Sequence, residues 1–275
     1  MEKINFSKYH GCGNDFIIVK EEDIKDIDLT SFIISICNRY TGIGADGLMI
    51  DVKDKVEMKF YNQDGRSGTM CGNGLRSFAA YLKDIKKVTT DNFDVITPAG
   101  VMHLKTINDN PYIFNANLGR YSYDTKLLEI DTTKKVFINE PIIFNDKEFL
   151  STAVFIGTKH LVVITDNLED LYNESLGLYL STHKMFKDDI NVDFVYIKDN
   201  ENIQMHTYER GVGFTKACGT GACASFIVLK EKGICSNFLN VHMELGTLKI
   251  SNDNLDIIME GPAEKICEGT YIWRK

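Results

Sequence analysis

Proline is scarce in this 275-residue chain, with 4 in all, and there is neither low-complexity sequence nor a long run of like charge. Disorder is therefore not expected. Basic excess is also missing. A formal net charge of -8 lacks the basic footprint of a general nucleic-acid binder. Apolar runs such as Ala153–Ile156 and Leu161–Ile164 fall far short of the roughly 20 residues that a membrane span needs. The first residues, Met1-Glu2-Lys3-Ile4-Asn5, lack the apolar core of a signal peptide. These absences lead to the expectation of a soluble cytoplasmic protein with neither membrane nor nucleic acid as partner.

Cysteine usage excludes more. The 7 cysteines are an odd number without a secretory signal, so free thiols are expected rather than a disulfide framework. No Cys-x-x-Cys occurs, Cys218 and Cys223 being the nearest approach, and the 6 histidines are scattered. That spacing does not suit a structural zinc site, and no metal is expected. A lysine motif for a pyridoxal Schiff base is missing, as is a Gly-x-Gly-x-x-Gly dinucleotide loop after a strand. The chemistry is expected to need no cofactor.

What the chain does have is a duplication. Met70-Cys71-Gly72-Asn73-Gly74 and Ala217-Cys218-Gly219-Thr220-Gly221 lie in two similar segments, Tyr61–Lys83 and Tyr208–Lys230. The offset, 218 less 71, is 147 residues, and it also superposes Tyr61 on Tyr208 and Leu82-Lys83 on Leu229-Lys230. A chain this long favours two domains. Periodicity predicts a strand at Ile4–Tyr9 before the glycine-rich turn His10–Asp15, then a strand at Phe16–Val19 and a helix over Leu29–Arg39. Strands follow near Leu48–Val52, Val56–Tyr61, Phe93–Thr97, Gly100–Thr106, Tyr112–Leu118 and Lys135–Ile138, with a helix at Leu75–Leu82. The second half repeats the plan. Strands Thr152–Ile156 and Leu161–Thr165 flank a turn at Gly157–His160, and Leu168–Thr182 is a helix candidate. A hairpin of Val192–Ile197 and Ile203–Tyr208 precedes the Cys218 turn, a helix over Ala222–Glu231 and three closing strands. The expected fold is α+β, with two pseudo-symmetric halves, each a strand-rich barrel-like sheet around a central helix. The halves are placed at 1–120 plus a C-terminal strand, and at 150–265, with 121–149 connecting them.

Each cysteine is expected between a strand and a helix start. Unpaired N–H groups and the macrodipole create positive potential there. That potential favours a thiolate and offers donors to a carboxylate, which the glycines allow to come close. Two such turns facing one substrate would place a sulfur on each side of its α-carbon, so that one removes a proton and the other returns one to the opposite face. The remaining cysteines at 37, 223, 235 and 267 read as packing residues, and Cys12 as structural. Two other uses of these turns stay open: a thiol redox pair, and a non-catalytic anion-binding module.

The chain resembles the diaminopimelate epimerase family. The motifs are His10-Gly11-Cys12-Gly13-Asn14-Asp15-Phe16, Asn62-Gln63-Asp64-Gly65, Met70–Arg76, Tyr208-Glu209-Arg210-Gly211 and Ala217–Cys223. They run in the family's order over essentially the whole chain. The resemblance implies a two-domain fold shared with proline racemases. It also implies a cofactor-independent, homodimeric isomerase that interconverts LL- and meso-diaminopimelate for lysine and cell-wall synthesis. Carried over by matching position, Cys71 and Cys218 are the acid–base pair, and Gly72, Asn73, Gly219 and Thr220 hold the reacting carboxylate. Asn14, Asn62, Asn191, Glu209 and Arg210 hold the rest of the substrate, with Arg210 suited to a distal carboxylate. His160 and Glu209 set the protonation of the cysteines.

One departure bears on the substrate. The family usually reads Gly-Asn-Pro-His where this chain has Gly157-Thr158-Lys159-His160. Thr158 is shorter than the Asn it replaces, and a hydrogen bond to a charged group is worth roughly 1.5–3 kcal/mol. A water or Lys159 is a possible substitute, and lanthionine or histidine stands as the alternative substrate.

Overall fold

The computed structural model describes residues 1–68 and 71–274; Met70 of the first cysteine motif lies outside them. The chain forms two compact units, Met1–Ala116 with Glu260–Lys275, and Asn117–Met259. The first unit runs β1 (Glu2–Gly11), β2 (Asn14–Lys20), α1 (Leu29–Cys37), β3 (Gly47–Asp51), β4 (Met58–Asn62), β5 (Ser67–Gly68), α2 (Gly72–Asp84), β6 (Asn92–Thr97), β7 (Gly100–Asp109) and β8 (Tyr112–Asn117). The second runs β9 (Glu140–Phe144), β10 (Lys147–Ile156), β11 (Thr158–Ile164), α3 (Glu174–Ser181), β12 (Asn191–Ile197), β13 (Asn202–Glu209), β14 (Gly213–Thr215), α4 (Gly219–Glu231), β15 (Phe238–Met243) and β16 (Gly246–Asp253). A long last strand, β17 (Asp256–Trp273), supplies from Glu260 onward an antiparallel partner for β1, with Glu2 opposite Trp273.

The duplication is written into the ladders. In the first unit β1–β2 is antiparallel, β2–β3 parallel and β3–β4 antiparallel. In the second, β10–β11, β11–β12 and β12–β13 repeat that sequence. Both central helices have 13 residues, and their first and last positions keep the 147-residue offset of the cysteines. α2 is buried continuously from Gly72 to Leu82, and α4 over Gly221–Leu229. A helix buried on all faces needs small residues at its crowded start and apolar ones beyond. Gly-x-Gly followed by Leu75, Phe78 and Ala79, or by Ala222, Phe226 and Ile227, provides them.

Four expectations are corrected. Residues 121–149 are not a connector, because Leu128, Ile130, Phe137 and Ile142 pack into the second unit's core with Leu161, Leu176 and Phe194. Residues 135–138 form no strand; Phe137 is buried in an irregular segment whose carbonyl accepts from Ala153 N, and the strand starts at Glu140. The helix expected over Leu168–Thr182 breaks at Asn173, whose side chain accepts from Leu176 N at 3.0 Å and so caps α3, while Leu168–Tyr172 is a separate 3-10 turn. Asparagine side chains compete with helix continuation in this way. The turn expected at Gly157–His160 shrinks to Gly157, which has φ +69, and Thr158 already belongs to β11. Among the described residues no helix is long and apolar enough to cross a membrane.

Candidate active site

Cys71 is the N-cap of α2, with φ -135 and ψ 123. Its environment is set by a chain of polar contacts within the first unit. Arg39 holds Asp15 and Asp46, and Asp46 Oδ2 accepts from Asn14 Nδ2 at 2.6 Å. The amide of Asn14 is thereby oriented, because a carboxylate can only accept. Its Oδ1 is left facing Cys71, whose thiol donates to it at 3.4 Å, and Asn73 Nδ2, also at 3.4 Å. Beneath the turn lies Arg76, fully buried, donating to Gly72 O, Asn73 Oδ1 and Pro262 O. The β1–β2 hairpin closes on Cys12 and Gly13, at φ 52 and 81, as a two-residue turn of this hand requires. Cys12 is buried there against Arg76, and burial raises its thiol's pKa. Gly11 fits because its hydrogen faces the α2 start, where a Cβ would lie 3.2 Å from Asn73 O.

Cys218 caps α4 in nearly the same conformation, φ -121 and ψ 108, and its sulfur accepts from Gly221 N at 3.4 Å. Thr220 Oγ1 lies 3.6 Å away, and Glu209 shares a hydrogen bond with the thiol. Burial, then the Glu209 and Asp193 carboxylates, raise the Cys218 pKa well above its ordinary value, so the resting group is the thiol. Burial likewise raises Glu209, outweighing the Thr215 hydroxyl that donates to it at 2.7 Å. His160 and Asp193 are fully buried, with Nδ1 and Oδ2 2.8 Å apart. Thr207 donates to the other oxygen of Asp193, also at 2.8 Å.

The remaining predicted residues divide by unit. Asn62 sits at the exposed end of β4, where its backbone closes a turn with Gly65 and Arg66. In the second unit Asn191 pairs opposite His160 in the parallel β11–β12 ladder and accepts from Arg210 N at 3.0 Å. The Arg210 guanidinium donates to the carbonyl and carboxylate of Asp188 at 2.9 and 3.0 Å. Thr158 is half-buried at the start of β11. Lys159 turns its ammonium to Glu129 at 2.9 Å and to Asp188 O at 3.2 Å, so its charge is engaged within the protein.

Sequence reasoning missed Asp193, Asp188, Asp46 and Arg76. Only Asp193 carried a signal, a charge inside the apolar run Val192–Ile197. The donor atoms of His160, Asp193 and Cys218 lie within 4.8 Å of one another, a set that a soft divalent cation would also accept. Both Asp193 oxygens are already engaged, however, one by His160 Nδ1 and the other by the Thr207 hydroxyl.

The sequence profile of the diaminopimelate epimerase family matches residues 6–123 and 152–266. The chain is 33% identical over 273 residues to the diaminopimelate epimerase of Caldanaerobacter subterraneus subsp. tengcongensis, covering 97% of this chain and 98% of that protein. It is 35% identical to that of Bacillus mycoides, covering 100% and 99%. The fold resembles the Bacillus anthracis phenazine biosynthesis protein of the PhzF family, with a TM-score of 0.71 at 14% identity over 99% of this chain and 100% of that one. With matching motifs, a doubled cysteine-capped helix and full-length similarity, the chain belongs to the diaminopimelate epimerase family of isomerases.

Proposed function

We propose that this chain interconverts LL- and meso-2,6-diaminopimelate without a cofactor, with Cys71 and Cys218 as the acid–base pair. The observation that carries the reading is the doubled half-site: two cysteines, 147 residues apart, cap two 13-residue helices in the same backbone conformation. In the reaction one sulfur, as thiolate, takes the α-proton and its electron pair passes into the α-carboxylate, which becomes enolate-like. The other sulfur, as thiol, delivers its proton to the opposite face and is left as thiolate. The N–H groups at the starts of α2 and α4 stabilise the charge on the carboxylate. Arg210, half-buried and bonded to Asp188, supplies the fork for the distal carboxylate, with Asn14, Asn62, Asn191 and Thr158 completing the site. His160 and Glu209 adjust the protonation of Cys218.

Reduced protein given LL-diaminopimelate in heavy water is expected to incorporate deuterium at Cα and form the meso isomer. Cys71→Ala and Cys218→Ala should each abolish net epimerisation. Absence of exchange with folded, reduced protein would overturn the reading, and turnover of lanthionine or histidine in its place would redirect it. The reading extends to a cytoplasmic homodimer in lysine and cell-wall synthesis, on the family resemblance; sedimentation of the purified chain tests the dimer.

A further inference from the structure

The two halves share their backbone but not what lies beneath their cysteines. Gly74 and Gly221 are equivalent third residues of α2 and α4. A Cβ on Gly74 would meet Phe16 Cζ at 3.5 Å and Met49 Sδ at 3.6 Å; one on Gly221 would lie 2.2 Å from Asp193 Oδ1 and 2.9 Å from Thr207 Oγ1. The registers make these the same places in the duplicated sheet. Phe16 and His160 are the third residues of β2 and β11, and Met49 and Asp193 the third of β3 and β12. Phe60 and Thr207 are the β4 and β13 residues directly opposite Met49 and Asp193. An apolar floor of Phe16, Met49 and Phe60, with Phe16 and Phe60 edge to face at 5.9 Å, thus stands where the other half has His160, Asp193 and Thr207.

Three buried polar side chains replacing three apolar ones incur a desolvation cost unless every group is satisfied. Here one is not. Asp193 and Thr207 are satisfied by each other and by His160 Nδ1, but His160 Nε2 is buried without a hydrogen-bond partner. His160 and Asp193 each place a donor atom within 4.8 Å of the Cys218 sulfur, and of the two only the His160 ring keeps a buried atom without a partner. A carboxylate that already accepts from Thr207 also accepts from Nδ1, so Nδ1 carries the proton and Nε2 presents a lone pair.

We propose that Asp193 is a positioning residue for the epimerisation, holding His160 as the Nδ1–H tautomer so that Nε2 is the proton acceptor serving Cys218. The first half has no such relay, so the two thiols are unequal partners, and Cys218 exchanges its proton with a buried base when it acts. Thr207 fixes the second oxygen of Asp193, and Gly221 leaves room for that oxygen under the helix start. The inference rests on the two-cysteine reading, and its central observable does not require turnover.

The experiment is nitrogen-15 NMR of the histidine rings in the reduced full-length protein, with the His160 signals assigned by their loss in His160→Gln. In the wild type the neutral His160 ring should carry its proton on Nδ1; a proton on Nε2 would overturn the proposal. In Asp193→Asn, where the amide can donate to Nδ1, the proton should move to Nε2. For that variant kcat for LL-diaminopimelate should fall about 100-fold or more with KM within about threefold, the pattern of a group needed only in the transition state. Unchanged kcat would overturn it as well. If Asp193→Asn does not fold, the wild-type tautomer still decides. If wild-type protein shows no exchange on diaminopimelate, the functional reading falls, while the ring spectrum still reports whether Asp193 sets the tautomer.

Discussion

Gly74 and Gly221 look interchangeable in the sequence, yet a single methyl group separates them. At Gly221 an added Cβ would be 2.2 Å from the Asp193 carboxylate, whereas at Gly74 its nearest neighbours are at 3.5–3.6 Å, ordinary contact distance. Gly221→Ala is therefore expected to destabilise the fold by about 1–3 kcal/mol through overpacking and to displace Asp193. Gly74→Ala should be neutral or stabilising by about 0.5–1 kcal/mol, because alanine loses less backbone entropy in a helix. Paired thermal melts check this, and equal losses in the two variants would contradict the contrast. At this scale the cysteines were legible because a repeat makes them conspicuous. Asp193 was not, since its role depends on a histidine 33 residues away in sequence, which only the parallel register brings alongside.

Among the elements, the start of β11 carries half-buried Thr158 and buried Lys159. Lys159 is 6% exposed and bonded to Glu129 and Asp188, carboxylates that are 53% and 75% exposed. Lys159→Met should change stability by no more than about 1 kcal/mol, because both carboxylates return to water and the apolar stem is kept. Asp188, however, also holds Arg210. With its second cation gone, it should retain Arg210 more firmly against the substrate's distal carboxylate, so KM for diaminopimelate should rise about threefold or more at unchanged kcat. A lower KM would reverse the assignment. Most strands were legible from alternation and the central helices from their apolar faces. The segment before β9 misleads because Phe137 is buried without being in a strand, and most residues of β17 beyond Ala263 are exposed, leaving no alternation to read there.

Over the whole molecule, several buried or half-buried acids hold their protons more tightly than in an unfolded chain. Burial pushes Cys37 up to about 12 from an ordinary 9.0. Burial and a hydrogen bond to Asp84 push Tyr112 to about 12, and burial and Glu231 do the same for Tyr121, both from an ordinary 10.0. A group whose folded pKa is raised contributes stability that is fully present below its unfolded pKa and lost as pH rises through the folded one. The melting temperature should therefore begin to fall near pH 9 and keep falling toward 12; a flat or rising profile above pH 9 would rule this account out. The two-unit plan was legible at this scale because the duplication sets it. The exact division, at Ala116 and Met259, was not, because it depends on which core each connecting residue enters.

The unequal floors also bear on how such a protein can be redesigned. Backbone, helix length and cap conformation agree between the halves, so the difference between a hydrocarbon floor and a proton relay resides in three side chains on three adjacent strands: Phe16, Met49 and Phe60 in one, His160, Asp193 and Thr207 in the other. The scaffold thus behaves as a socket with an exchangeable insert, and the smallest unit of chemistry that can be transplanted within it is a triplet fixed by strand register.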